Sequence, residues 1–171
     1  VLVLNEGYFD YTNQQIIEPV TIGSYNPISK IYTEVAVIDS ARFASDMIID
    51  NGYFYVAADN KILKYDLNNY VLLEEVTVQG VRNLAIFGDN LFVTRGEYMV
   101  TFDSYLQVYD KDDLSFVTEY DTINGPKWAA QDMLIDNNIL YVAINNGFQW
   151  GNEKGFIGCL DLSNMLYLNE I

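Results

Sequence analysis

The sequence predicts an all-β protein, a β-propeller of four-stranded antiparallel blades. Three of its features lead to that fold. The stretch from Met47, MIIDNGYFYVA, returns as LAIFGDNLFVT from Leu84 and as MLIDNNILYVA from Met133, at offsets of 37 and 49 residues. A second motif begins at Ile22, Ile62, Leu106 and Ile157, and its copies end on Asn26, Asp66, Asp110 and Asp161. Self-similarity at such periods marks an architecture of repeated units. Finally, the run YFYVA and its counterparts are apolar at successive positions, which indicates strands buried on both faces.

Each unit reads as strand A, tight turn, strand B, loop, strand C, Asx turn, strand D. In the first copy, residues 1–4 form a strand ended by Asn5-Glu6-Gly7, and residues 8–16 read as a polar, aromatic-bearing loop. Strands are expected at 21–25 and 30–38, separated by the Asn26-Pro27 turn. The second copy has A at 47–49, B at 53–57, C at 61–65 and D at 70–76. Its A–B turn is Asp50-Asn51-Gly52, matched by Gly88-Asp89-Asn90 and Asp136-Asn137-Asn138. These residues tolerate the positive φ that tight hairpins need. Short Asx side chains bond the backbone two residues on, so Asn26, Asp66, Asp110 and Asp161 read as turn formers and not as catalytic groups. The repeats fall at about 1–38, 45–76, 82–120 and 131–171. The first lacks strand A and the last ends on strand D. The expectation is therefore a single propeller domain, or the N-terminal part of one, with about four blades of a larger seven-bladed ring. A β-solenoid is the alternative, but its repeats are usually shorter.

Composition excludes several function classes. The chain has 171 residues, 50% apolar and 15% aromatic, too apolar for disorder and long enough for a sizeable core. A net charge of −15 with no offsetting Lys/Arg stripe opposes nucleic-acid binding and attraction to an anionic membrane surface. Without histidine there is no Ser-His-Asp arrangement and no His-based metal site. The single cysteine, Cys159, forms no internal disulfide and reads as a packed strand residue. No apolar run approaches the roughly 20 residues that span a bilayer, and VLVLNEG lacks the basic flank of a signal peptide. No Gly-rich phosphate loop appears.

The passages YVAADNKILKYDLNNYVL, FVTRGEYMVTFDSYLQVYDKDDLSFV and YVAINNGFQWGNEKGFIGCLDLSNM resemble the YVTN-type propeller repeat. The opening VLVLNEGYF, with GSYNP behind it, is similar to the surface propeller lipoproteins of Bacteroidetes. That resemblance implies a cell-surface, outer-membrane, extracellular-facing protein. It also implies a role for some members, the capture of cobalamin beside a TonB-dependent transporter, so that a bound corrinoid is the ligand to be expected. No ligand-contact motif matches residue by residue, and the lipid-bearing cysteine of a lipoprotein is absent from these residues.

Propeller geometry puts B–C loops and D-to-A connections on one face and the uniform A–B and C–D turns on the other. Long, variable loops on a rigid scaffold are where binding is usually found. Loops of about a dozen residues are expected after strand B in the first and fourth copies, and shorter ones in the others. The B–C loops offer Asn5, Glu6, Tyr8, Phe9, Asp59, Asn60, Arg95, Glu97, Tyr98, Asn145, Asn146, Phe148 and Trp150. The connections offer Arg42, Arg82, Asn83, Lys127, Trp128, Gln131 and Asp132. Aromatics mixed with amides and a few arginines suit a flat organic ligand, a glycan or a protein partner. Against this, Trp128 and Trp150 could pack between blades, and Arg42, Arg82 and Arg95 could form ion pairs on an acidic surface. Glu6 lacks the DxDxDG-like surroundings of a calcium ligand. Three functions follow: a non-enzymatic ligand-binding propeller, a protein-interaction scaffold, or a hydrolase or lyase using carboxylates such as Glu6 and Asp132.

Overall fold

The computed structural model describes residues 1–146 and 151–171. The described residues contain strands and turns and no helix. They form two compact units, Val1–Gln79 and Gly80–Ile171.

The first unit holds β1 (Leu2–Asn5), β2 (Tyr8–Asp10), β3 (Gln15–Glu18), β4 (Val20–Asn26) and β5 (Ile31–Ile38), then β6 (Ala44–Asp50), β7 (Tyr53–Ala58), β8 (Lys61–Asp66) and β9 (Leu72–Thr77). Strands β1-β4-β5 make a three-stranded sheet and β6-β7-β8-β9 a four-stranded one, antiparallel throughout. Between them lies a shared core in which Val20, Ile22, Phe54, Val56 and Leu63 are buried. The ring of Tyr65 stacks on that of Phe54, centroids 4.8 Å apart and 5° from parallel. Tyr70 donates its hydroxyl hydrogen to Ser24 Oγ at 3.4 Å, tying one sheet to the other.

The second unit repeats the pattern. Strands β10 (Val81–Phe87), β11 (Asn90–Arg95), β12 (Ser104–Asp110) and β13 (Phe116–Asp121) form one four-stranded sheet. Strands β14 (Ala130–Asp136), β15 (Ile139–Asn145), β16 (Gly155–Asp161) and β17 (Leu166–Glu170) form the next. Strand β14 packs on β10 and β11. Phe92, Leu106 and Val108 of the third sheet share a core with Leu140, Val142 and Leu160 of the fourth. Two polar ties cross that core: Thr94 Oγ1 donates to Gln131 O at 2.6 Å, and the Tyr120 hydroxyl donates to Met165 O at 3.1 Å.

The turns explain the repeat. Asn51 and Gly52 (φ 45° and 88°), and Asn137 and Asn138 (φ 49° and 62°), form two-residue hairpin loops with both residues left-handed. In the third sheet Gly88 (φ 61°) takes the first position of the loop. Primed turns of this kind match the right-handed twist of the flanking strands. On the C–D side, Oδ1 of Asn26, Asp66, Asp110 and Asp161 accepts a hydrogen bond from the backbone N–H two residues on.

The structure departs from the sequence reading in three places. Residues 8–16, expected as a loop, form most of the hairpin β2–β3, with Phe9 paired to Ile16. Asp10 makes the turn by accepting from Thr12 N–H at 2.8 Å and Asn13 N–H at 3.2 Å, the same Asx chemistry in an unexpected place. Lys30 and Tyr70, expected to open D strands, precede them: each is the left-handed last residue of its turn, with φ of 60° and 61°. Finally, strand B is buried along its length in β7 and β11 but alternates in β15. Phe92 and Leu106 on the third sheet are fully buried, whereas their counterparts on the fourth, Tyr141 and Ile157, are partly exposed, Ile157 by 39%. With Met133 and Leu134 they line a shallow apolar depression on the outer side of that sheet.

Candidate functional site

Three segments of the second unit converge on a cavity of about 500 Å³. The first is the B–C loop 96–103 between β11 and β12. Arg95 anchors its base, donating from Nη1 to Ser104 O at 3.0 Å, its guanidinium carbon 4.2 Å from the centroid of the Phe102 ring. Burial pulls this guanidinium below its ordinary pKa, while Tyr109, Glu119 and Tyr105 act the other way. Phe102 is held in turn by Tyr105, edge to face at 5.8 Å, whose hydroxyl oxygen accepts the Phe102 N–H.

The second segment is the connection 122–129 from β13 to β14. Asp121 starts it by accepting from the N–H groups of Asn124 and Ile123, and those bonds hold its carboxyl below the usual range. Gly125 is required there, because an added Cβ would stand 2.4 Å from Tyr120 Cβ. The third segment opens the fourth B–C loop. Asn146, 5% exposed, donates from Nδ2 to Asn152 O at 2.9 Å, and its Oδ1 accepts the Lys154 N–H, so that it closes the base of its loop.

Backbone bonds stitch the three segments together. Thr122 N–H donates to Asp103 O at 3.1 Å, and Asn145 N–H donates to Ala129 O at 3.0 Å. Trp128 is half-buried, packed along one side on the core and lining the cavity with the rest. Lys127 and Asp103 line the same cavity, and their side chains have no protein partner among the described residues. The cavity thus offers an aromatic wall, one ammonium and one carboxylate. That set can bind and orient an organic molecule.

The other sequence-derived candidates fall as follows. Lys127, Trp128 and Asn146 come together here. Tyr98 stands nearby on the same loop, 61% exposed. Arg82 and Arg95 are occupied by backbone carbonyls, Arg82 Nε donating to Gly96 O at 2.6 Å. Asn83 and Gln131 serve Thr94 through their backbones: Asn83 N–H donates to Thr94 Oγ1 at 2.9 Å, and Gln131 O accepts from it. Arg42 and Asp59, in the first unit, form a two-pronged ion pair with bonds of 2.9 and 2.5 Å. Asn5 and Tyr8 line a separate recess of about 450 Å³ in that unit with Glu18 and Glu34. Asn5 Nδ2 is bonded there to Thr21 Oγ1 and the Tyr32 hydroxyl, both at 2.9 Å. Glu6 is exposed, and its backbone oxygen accepts from Ala44 N–H. Trp150 and Phe148 lie outside the described residues.

Sequence reasoning missed Met99, Thr101, Phe102, Asp103, Tyr105 and Thr122. A signal for them was available. The interval between FVTR and LQVYD is nearly as long as the fourth B–C loop, although a short loop was expected there. Among the described residues no cluster of three or more Asp, Glu or Cys is arranged to hold a metal ion. None of them forms a helix long and apolar enough to cross a membrane.

No family model matches the chain, and no curated protein matches it by sequence. Solved structures do match. One is dihydro-heme d1 dehydrogenase NirN in complex with DHE, 14% identical with a TM-score of 0.63, covering 98% of this chain and 37% of that one. Another is the Neurospora crassa Pan2 WD40 domain, 13% identical with a TM-score of 0.61, covering 90% of this chain and 48% of that one. The chain spans less than half the length of either. At such identity the likeness speaks for the fold alone: the chain has the β-propeller fold, and its four larger sheets are blades.

Proposed function

We propose that this propeller is a non-enzymatic ligand-binding module whose ligand seats in the cavity of the second unit. The construction of that cavity supports the reading. Loops of two successive blades and the connection between them meet there, cross-tied by Thr122–Asp103 and Asn145–Ala129 backbone bonds. A cavity fixed by such ties loses little entropy when it is filled. Its lining holds one carboxylate, Asp103. Glu6 belongs to the first unit and Asp132 to the second, where Asp132 accepts its neighbour's N–H, Met133, at 2.8 Å.

The resemblance to Bacteroidetes surface propellers extends the proposal to the cell surface, beside a TonB-dependent transporter, and makes a corrinoid one candidate ligand to be tested. A corrinoid with its nucleotide tail is bulkier than a cavity of about 500 Å³ can enclose, so it would lie across the mouth with part of the macrocycle against Trp128. Incubation with cyanocobalamin followed by desalting tests this directly. Retained corrinoid absorbance that Trp128→Ala abolishes supports the corrinoid. Its absence removes that ligand and leaves the module. Chemical conversion of any bound ligand that stops in Asp103→Asn would overturn the non-enzymatic reading. Tyr98 and Met99, 61% and 75% exposed side by side on the rim, favour a protein partner as the second reading.

A further inference from the structure

We propose that the ligand of this cavity is a neutral glycan, a short run of linked sugar rings stacked on Trp128 and hydrogen-bonded by Asp103 and Lys127. The proposal rests on the cavity being the ligand site. It starts from the charges that line the cavity. Lys127 and Asp103 are both exposed, and neither bridges to the other nor to any other described side chain. An ammonium only donates and a carboxylate only accepts. A ligand that serves both without carrying charge must offer donors and acceptors on the same groups, as hydroxyls do.

Net charge narrows the class further. At −15 the chain repels an anion on approach. It attracts a cation over its whole surface, and a cavity whose own two charges cancel gives a cation no reason to settle there. A neutral polyhydroxylated molecule meets neither difficulty. The half-buried indole of Trp128 supplies the other element. A pyranose ring has an apolar C–H face that lies flat on an aromatic plate, while its hydroxyls radiate toward the polar rim. The Trp128 N–H and the hydroxyl of exposed Thr101 have no protein partner among the described residues, and can serve such hydroxyls as donor or acceptor.

The intact chain is applied to an array of neutral, uronate-bearing and sulfated glycans, and the strongest neutral binder is titrated calorimetrically. Expected is neutral-glycan binding that weakens about tenfold or more in Trp128→Ala and in Asp103→Asn and recovers in part in Trp128→Phe. Thermal unfolding of each variant confirms that the fold is kept. Binding confined to sulfated or uronate glycans overturns the proposal, as does neutral-glycan binding that Trp128→Ala leaves unchanged. Absence of glycan binding alongside Trp128-dependent retention of cyanocobalamin removes the glycan and preserves the cavity as the ligand site. If no ligand of either class depends on Trp128, both conclusions fall.

Discussion

Five residues of unrelated chemistry, Gln14, Lys30, Tyr70, Leu114 and Met165, share one backbone conformation, with φ between 55° and 61°. Each stands four positions after an Asx residue: Asp10, Asn26, Asp66, Asp110 and Asp161. The N–H groups of Lys30, Tyr70 and Leu114 donate back to the Asx carbonyl at 2.8 to 3.0 Å, closing the turn. The left-handed region costs an ordinary L-residue on the order of 1 kcal/mol. Lys30 is exposed and makes no side-chain contact that the fold needs, so Lys30→Gly should stabilise the protein by about 0.5 to 1 kcal/mol. An upward shift of the urea midpoint at constant slope would show it. The Asx half of this device was visible in the sequence because its side chain does the work. The left-handed half was not, because any residue can be forced there by the bonds on either side.

Two of these turns, at Asp10 and Asp161, add an acid-sensitive contribution to stability. Asp161 is held below its ordinary value of 3.8 first by the Ser163 hydroxyl, then by the Ser163 N–H. Asp10 and Asp121 are lowered by comparable bonds. A carboxyl lowered in the folded state holds its proton less tightly there than in the unfolded chain. Its contribution is complete above pH 3.8 and is lost as pH falls through the lowered value. Asp161→Asn should keep the turn, as Asn26 does in the first blade, and flatten the acid limb of a stability–pH profile.

At the scale of strands, glycine and tyrosine act as a pair. Gly158 on β16 has no side chain because Tyr167 of β17 lies across it: an added Cβ would meet the tyrosine oxygen at 2.3 Å and Ile144 Cδ1 at 2.9 Å. Gly23 and Tyr32 repeat the arrangement in the first blade, at 2.1 Å. Gly158→Ala should therefore destabilise by about 1 to 3 kcal/mol through overpacking, read from chemical denaturation, and Gly158→Ala with Tyr167→Ala together should recover part of it. Tyr65, stacked on Phe54, makes a different contribution. Burial first, and Glu75 second, push its hydroxyl up to about 12 from 10.0. The folded state then holds the proton more tightly than the unfolded one. Stability is complete below pH 10 and declines as pH rises toward 12, a slope that Tyr65→Phe should reduce. Tyr109, Tyr120 and Tyr167 are raised as well and would leave a residual slope. The strands themselves were legible wherever apolar runs were bounded by Asn, Asp and Gly. The hairpin β2–β3 was not, because YFD and QIIE are short, partly polar and expose most of their residues.

For the whole molecule, position within a blade predicts less than what lies against it. Phe92 and Tyr141 occupy one column of the repeat, but Phe92 is 0% exposed in a core shared by two blades, and Tyr141 is half-buried. Phe92→Ala should cost about 3 to 5 kcal/mol, and Tyr141→Ala markedly less, as measured by thermal unfolding of the two variants side by side. The blade plan could be read from the sequence because it repeats. The cavity could be read only by face: it lies among B–C loops and a D-to-A connection, but draws on the third B–C loop, which was expected to be short, while Asn146 is a loop clasp and Arg82 and Arg95 are anchors. Spacing tells which end of a strand a residue leaves from, and nothing about which neighbour claims its side chain first.

The fourth blade has a bearing on how units of this kind stack. Leu134, Tyr141 and Ile157 present to solvent the columns that Ala85, Phe92 and Leu106 turn toward the fourth blade from the third. Each added copy covers one apolar face and exposes an equivalent one. A further copy of the unit laid on the fourth sheet would therefore meet the same apolar columns that the fourth meets on the third.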